Sequence, residues 1–177
     1  MDEAAILKQK IRNVPGFPKP GIVFRDITPL LLDPAARAMA AQSLADAFRA
    51  ARPDVVAGIE ARGFIVAALV ADRLGVGLAL VRKKGKLPYS TVSAQYALEY
   101  GTDTVEMHTD AVRQDQRVLV VDDLLATGGT ARAACELVEK LGGRVVGCGF
   151  WIELSFLNGR ARLAGRDVCA LVQYESE

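Results

Sequence analysis

No apolar run in this 177-residue chain approaches the roughly 18 residues that a membrane-spanning helix needs. Stretches free of charge, such as Gly63–Ala71 and Leu74–Val81, are the size of a buried helix or strand. Neither sign of charge dominates: 22 Lys and Arg stand against 21 Asp and Glu, a formal net charge of +1. That balance argues against general binding to nucleic acid or a membrane surface. Cysteines are few, and Cys135, Cys148 and Cys169 include no C-x-x-C pair. An odd count without such spacing excludes a disulfide framework and a zinc knuckle, and suits small buried thiols in a reducing compartment. Histidine is scarcer still, since His108 stands alone with no metal-ligand or triad partner in its surroundings. The first residues, Met-Asp-Glu-Ala-Ala, are acidic where a secretory leader is basic, so a cytoplasmic protein is expected.

Half the residues are apolar (51%), enough to fill one core, and there is no repeat, low-complexity tract or long linker. One domain over 1–177 is expected, an N-terminal segment 1–33 (a hood in the family resemblance given below) on a core over 34–177, interrupted by a loop at about 82–108. Glu3–Arg12 reads as a short amphipathic helix with Ile6, Leu7 and Ile11 on one side. Asn13–Gly21 carries three prolines and two glycines and is read as irregular. Asp33 as N-cap and Pro34 in the first turn open an alanine-rich helix running to Ala51. Strands are expected at Asp54–Ile59, Gly77–Val81, Val118–Val121, Val145–Ile152 and Val168–Val172. Helices are expected at Arg62–Leu74 and Thr130–Leu141, the last closed by Gly142-Gly143. This alternation predicts an α/β fold, a mostly parallel central sheet flanked by helices. Arg82–His108 breaks the rhythm, and its polar–apolar alternation suits a two-stranded antiparallel excursion outside the parallel core.

The most informative stretch is Val118-Leu-Val-Val-Asp-Asp-Leu-Leu-Ala-Thr-Gly-Gly-Thr130. It reads as a buried strand, two acids at its end, and a Gly-rich turn into a helix. Ligands of open α/β sheets sit beyond the carboxyl ends of strands, and a helix start offers unpaired amides to an anion. Ala126, Thr127, Gly128, Gly129 and Thr130 are therefore read as a phosphate cradle, although no Lys precedes the second threonine as in a Walker loop. Adjacent Asp122 and Asp123 would repel each other in a common medium. They make sense facing sugar hydroxyls or a hydrated divalent cation. Together these parts suit a ribose 5-phosphate. Gly58–Phe64 repeats the strand-to-helix pattern and places Arg62 in the same crevice, suited to a pyrophosphate. Arg82, Lys83, Lys84 and Lys86 crowd around Gly85; alone they read as a solvated loop, but beside two phosphate turns they read as a cationic lid.

The strand-to-helix stretch resembles the phosphoribosyl-pyrophosphate motif of the type I phosphoribosyltransferases, and the whole chain is similar to the members of that family that act on adenine. Pro18–Ile27, Gly58–Phe64, Arg82–Pro88, Leu98–Gly101 and Glu153-Leu154 carry the likeness. The resemblance implies transfer of the 5-phosphoribosyl group from phosphoribosyl pyrophosphate to adenine, giving AMP and pyrophosphate. Mg²⁺ would enter with phosphoribosyl pyrophosphate, with no metal site formed by the protein alone. It implies that Glu60, Ala61, Arg62 and Gly63 form the pyrophosphate loop, and that Arg82–Leu98 is the flexible loop, with Arg82, Lys83 and Lys86 facing the pyrophosphate. Glu99 would handle a proton on the base. Val23 and Arg25 would read the base edge through their backbone, and Phe24, Leu124 and Leu154 would wall the ring. A homodimer is also implied. Two alternatives stay open: a sister enzyme for another purine base, and a non-catalytic sensor of phosphoribosyl pyrophosphate. The sensor should carry a DNA-binding module, and the roughly thirty residues before the alanine-rich helix are too few for one.

Overall fold

The computed structural model describes residues 2–97 and 101–177. In chain order the elements are α1 (Glu3–Gln9), β1 (Arg12–Pro15), β2 (Val23–Asp26), α2 (Thr28–Leu32), α3 (Pro34–Arg49), β3 (Val55–Ile59) and α4 (Gly63–Leu74). Then come β4 (Gly77–Lys83), β5 (Thr91–Ala97), β6 (Thr102–His108), β7 (Arg117–Leu125), α5 (Gly129–Lys140), β8 (Arg144–Leu154) and β9 (Val168–Tyr174). Two short 3-10 turns, Ser155–Leu157 and Gly159–Leu163, link β8 to β9.

Among the described residues the main sheet has the order β5-β6-β4-β3-β7-β8-β9. Pairings from β4 through β9 are parallel, and β5 and β6 are antiparallel additions. β3 (VVAGI) is buried at every position, as a strand covered on both faces must be. Its alternation divides the core. Val55, Ala57 and Ile59 join Val118 and Val120 of β7 on the α5 side. Val56 joins Leu119 and Val121 on the side of α1, α3 and α4. Asp33 caps α3 as the sequence predicts, accepting from the amides of Ala35 and Ala36 at 3.0 and 3.1 Å. Cys135 and Cys148 are buried with their sulfurs 3.6 Å apart and unlinked, and Cys169 is half-buried.

Three expectations need correction. Asn13–Gly21 is not wholly irregular: β1 pairs antiparallel with β2, with Arg12 opposite Asp26 and Pro15 opposite Val23. Pro15 is tolerated because it ends an edge strand. The stretch from Arg82 to His108 is antiparallel, but it is not outside the sheet. β6 pairs with β4 at Arg82–Glu106 and Lys83–Val105, while Ala94, Val105 and Met107 bury into the α5-side core. Finally, β7 does not stop at Val121. β8 is long enough to pair with it as far as Leu125, whereas the pairing with β3 ends at Val121. The carboxyl end of β7 therefore projects past β3 and opens a crevice there. Asp122 and Asp123 lie within the projecting strand. Helix α2, with Pro29 in its first turn and Leu30 buried, has no counterpart in the sequence reading. Among the described residues no helix is long and apolar enough to cross a membrane.

Candidate active site

The turn from β7 into α5 begins with Ala126 and Thr127 and passes through Gly128 at φ +79°. A side chain there would be strained, and its Cβ would also collide with the carbonyl of Gly159. The turn wraps a cavity of about 80 Å³ lined by Asp122, Leu124, Leu125 and residues 126 to 131. It brings all five expected cradle residues together at the amino end of α5, where free amides and the helix dipole favour an anion. The cradle carries no cationic side chain of its own.

Beside it lies a second cavity, of about 400 Å³, lined by Ile59, Glu60, Ala61, Arg62, Lys83, Tyr96, Asp122, Asp123, Leu124 and Thr130. Arg62 caps α4 and reaches across to Asp123, with Nη2 2.8 Å from Oδ2. The other Arg62 terminal nitrogen is buried with no hydrogen-bond partner among the described residues. A buried cationic donor left open in a crevice is suited to an incoming anion. Asp122 Oδ1 accepts from the Asp123 amide at 2.9 Å. Burial, followed by repulsion from Asp123, holds the Asp122 carboxyl well above the usual carboxylate range. Burial also raises Asp123, against the pull of Arg62. Gly63, first residue of α4, makes this arrangement possible, because a Cβ there would collide with Asp122 Oδ1.

Two of the expected lid cations, Arg82 and Lys83, are already engaged. Arg82 grips Glu60 through Nε and Nη2 at 3.2 and 2.9 Å and donates to the Lys86 carbonyl at 2.8 Å. Glu60 also accepts from the Lys83 amide, and the Arg82 bonds lead in lowering its pKa. Lys83 Nζ lies 3.3 Å from Asp103, while Lys86 is exposed on the turn beyond. Arg82 thus ties the end of β4 to the loop that holds Arg62. Tyr96, read in the sequence only as part of an alternation, lines the central cavity and donates its hydroxyl to Asp103 at 3.1 Å. His108 lies apart, beside Tyr89.

A third, mainly apolar cavity of about 560 Å³ is lined by Ile22, Val23, Ala97, Thr127, Leu154, Leu157, Arg162 and Glu177, among others. It brings Val23 and Leu154 together, while Leu124 faces the first two cavities. Phe24 packs edge-on against Phe17 at 5.1 Å and lies under the Arg62 guanidinium at 4.7 Å, which places it on the Arg62 side of the crevice. The Arg25 side chain turns away and is buried against the C-terminal strand. Glu99 lies outside the described residues, with Leu98 and Tyr100 of its segment. Ile22 and Leu157 were not singled out in the sequence because both read as ordinary apolar residues. Among the described residues no cluster of three or more acids, histidines or cysteines could hold a metal by itself.

A mostly parallel sheet with a Gly-rich turn and paired acids on its projecting strand is the fold of a phosphoribosyltransferase here, since residues 30–162 match the phosphoribosyl transferase domain. The chain is 57% identical over 162 residues to an adenine phosphoribosyltransferase of Parvibaculum lavamentivorans, covering 92% of this chain and 93% of that one. The crystal structure of the adenine phosphoribosyltransferase of Thermoanaerobacter pseudethanolicus superposes with a TM-score of 0.94 at 51% identity, over 97% of this chain and 99% of that one. That of Saccharomyces cerevisiae, complexed with adenine and an imino-altritol bisphosphate, gives 0.89 at 39% identity over 96% and 98%. The chain belongs to the adenine phosphoribosyltransferase family.

Proposed function

We propose that this chain transfers the 5-phosphoribosyl group from phosphoribosyl pyrophosphate to adenine, releasing AMP and pyrophosphate. The observation that carries the reading is the projecting end of β7, which puts the cradle, the paired acids and Arg62 around one crevice. The cradle 126–130 holds the 5-phosphate. Asp122 and Asp123 accept hydrogen bonds from the ribose hydroxyls. Glu60, Ala61, Arg62 and Gly63 form the pyrophosphate loop. The hood strand β2 meets the base through the Val23–Arg25 backbone, with Val23 and Leu154 walling the apolar cavity, while Phe24 and Leu124 border the neighbouring crevice.

As the anomeric C–O bond breaks, positive charge grows on the sugar and negative charge on the departing pyrophosphate. Arg62, with its unpartnered nitrogen, neutralises that charge, and Lys83 borders the same crevice. Fixing the sugar at its phosphate and its hydroxyls leaves the anomeric carbon facing the base nitrogen. Glu99 is assigned the proton that the base loses as the new C–N bond forms. Two adjacent acids, Asp123 buried and Asp122 partly so, with no cluster of three ligands among the described residues, would suit Mg²⁺, which keeps its waters and would arrive with the substrate phosphates. When bound, that ion supplies further charge neutralisation at the pyrophosphate.

Residues 1–33 act as the hood of a single domain whose core is 34–177. We assign a cytoplasmic homodimer. The dimer reading rests on Ile65, Leu78 and Leu80, large apolar side chains exposed on neighbouring α4 and β4.

The test mixes protein, Mg²⁺, phosphoribosyl pyrophosphate and each free purine in turn and follows nucleotide formation. AMP from adenine, in clear preference to the other bases, is expected. Arg62→Ala should lower turnover by about a hundredfold or more, in line with loss of a transition-state donor, with the fold intact by circular dichroism. Near-normal turnover in that variant would remove Arg62 from the pyrophosphate site.

A further inference from the structure

The hood has no strand pairing to the main sheet, since β1 and β2 pair only with each other among the described residues. Something else must hold β2 at a fixed height over the apolar cavity. The contacts converge on the end of β9. The Arg25 guanidinium lies 4.0 Å from the centre of the Tyr174 ring, and both residues are buried. Arg25 Nη1 donates to Asn13 Oδ1 on β1 at 2.7 Å, and Nη2 donates to the Ser176 carbonyl at 3.1 Å. Lys8 of α1 reaches the same ring, with Nζ 4.5 Å from its centre, and donates to the Gln173 carbonyl at 3.2 Å. The Val23 amide donates to a Glu177 carboxylate oxygen at 2.9 Å.

We propose that Tyr174 is a positioning residue for the base site: its ring, stacked on Arg25, clasps the hood to the edge of the main sheet and so sets the position of the Val23–Arg25 backbone over the base. The inference rests on the reading of the apolar cavity as the base site. Its physical basis is that Arg25 has its backbone on the hood and its side chain in the core. The aromatic face matters because a buried guanidinium over a ring gains electrostatic attraction as well as apolar contact. A residue that merely filled space at 174 would not distinguish one substrate from the other. A clasp on the hood would, because the cradle and the pyrophosphate loop hang from β7 and β3 instead.

Tyr174→Leu, Tyr174→Phe, Asn13→Ala and Leu154→Ala in the full chain test this by steady-state kinetics with adenine and phosphoribosyl pyrophosphate varied separately. Tyr174→Leu should raise KM for adenine about ten- to thirtyfold, the weight of one desolvated cation–ring contact. KM for phosphoribosyl pyrophosphate should stay within about twofold, and Tyr174→Phe, which keeps the ring, should restore the adenine value. Asn13→Ala frees one arm of Arg25 at an exposed site and should raise KM for adenine about two- to threefold. It keeps the test open if Tyr174→Leu fails to fold. Unchanged adenine KM in Tyr174→Leu and Asn13→Ala, or an equal rise in both KM values, overturns the clasp. If Leu154→Ala raises KM for adenine while the clasp variants do not, the clasp is wrong and the base site stands. If none of them moves it, the base-site reading fails as well.

Discussion

In the role proposed for it, Asp122 meets two opposed demands, because a ribose needs an acceptor where the fold offers little solvation. Its carboxyl is buried and faces Asp123, which outweighs the one backbone hydrogen bond it accepts, so its proton is held well above the ordinary pKa of 3.8. A carboxyl whose folded pKa is raised adds stability that is fully present below 3.8 and is lost as pH rises through the folded value. Asparagine keeps Oδ1 for the Asp123 amide and cannot ionise. Asp122→Asn should therefore raise Tm at about pH 8 by more than at about pH 5, while AMP formation falls about tenfold or more with the loss of a charged acceptor. Melting curves of both proteins across that range check it. Equal Tm differences at both ends would show that ionisation of Asp122 carries no cost in the folded protein.

Among the elements, the cradle depends on a segment far from it in sequence. The 3-10 turn Gly159–Leu163 lies against residues 126–128, and a Cβ on Gly159 would collide with the Ala126 carbonyl. Arg160 fixes that turn by gripping buried Glu153 at 2.7 to 2.9 Å and donating to the Val168 carbonyl at 2.8 Å. Gly159→Ala should push the cradle out of shape at a cost of about 1–3 kcal/mol, the usual range for overpacking. KM for phosphoribosyl pyrophosphate and the Kd of AMP should rise several-fold, measured by kinetics and calorimetry. AMP binding at wild-type strength would show that the cradle does not lean on Gly159. This support is not legible in the sequence, where Gly159 is one glycine among sixteen. What can be read there is local: the Asp33 cap of α3, and the apolar run, paired acids and Gly-rich turn from β7 into α5. What cannot be read is set by distant partners. β8 extends β7 past Val121, β2 makes a strand of Arg12–Pro15, and β4 takes β6 into the main sheet. The same holds for Arg25, whose backbone role the family likeness implies but whose side-chain destination depends on Tyr174.

Over the whole molecule, one apolar surface has no cover from the chain's own described residues. Ala79 and Val81 of β4 point into the α5-side core, so the intervening Leu78 and Leu80 point to the opposite side, where they stay exposed. Ile65 in the first turns of α4 is exposed as well. Such a patch is costly in water and favours association with a matching face. A two-fold pairing would set the same patch of each copy against the other. The consequence reaches the site, because Arg82, two residues beyond Leu80, holds Glu60 of the loop proposed for pyrophosphate at 2.9 Å. Loss of the partner should loosen that tie as well as expose the patch. Leu80→Asp should place a charge at the contact and shift the protein from the mass of two chains to that of one, as read by sedimentation or light scattering at micromolar concentration. KM for phosphoribosyl pyrophosphate should rise with dissociation, and increasing the protein concentration should reverse both effects. A wild-type chain that runs as a monomer under those conditions would leave the patch without the partner assigned to it. A dimeric Leu80→Asp protein would move the interface to another face.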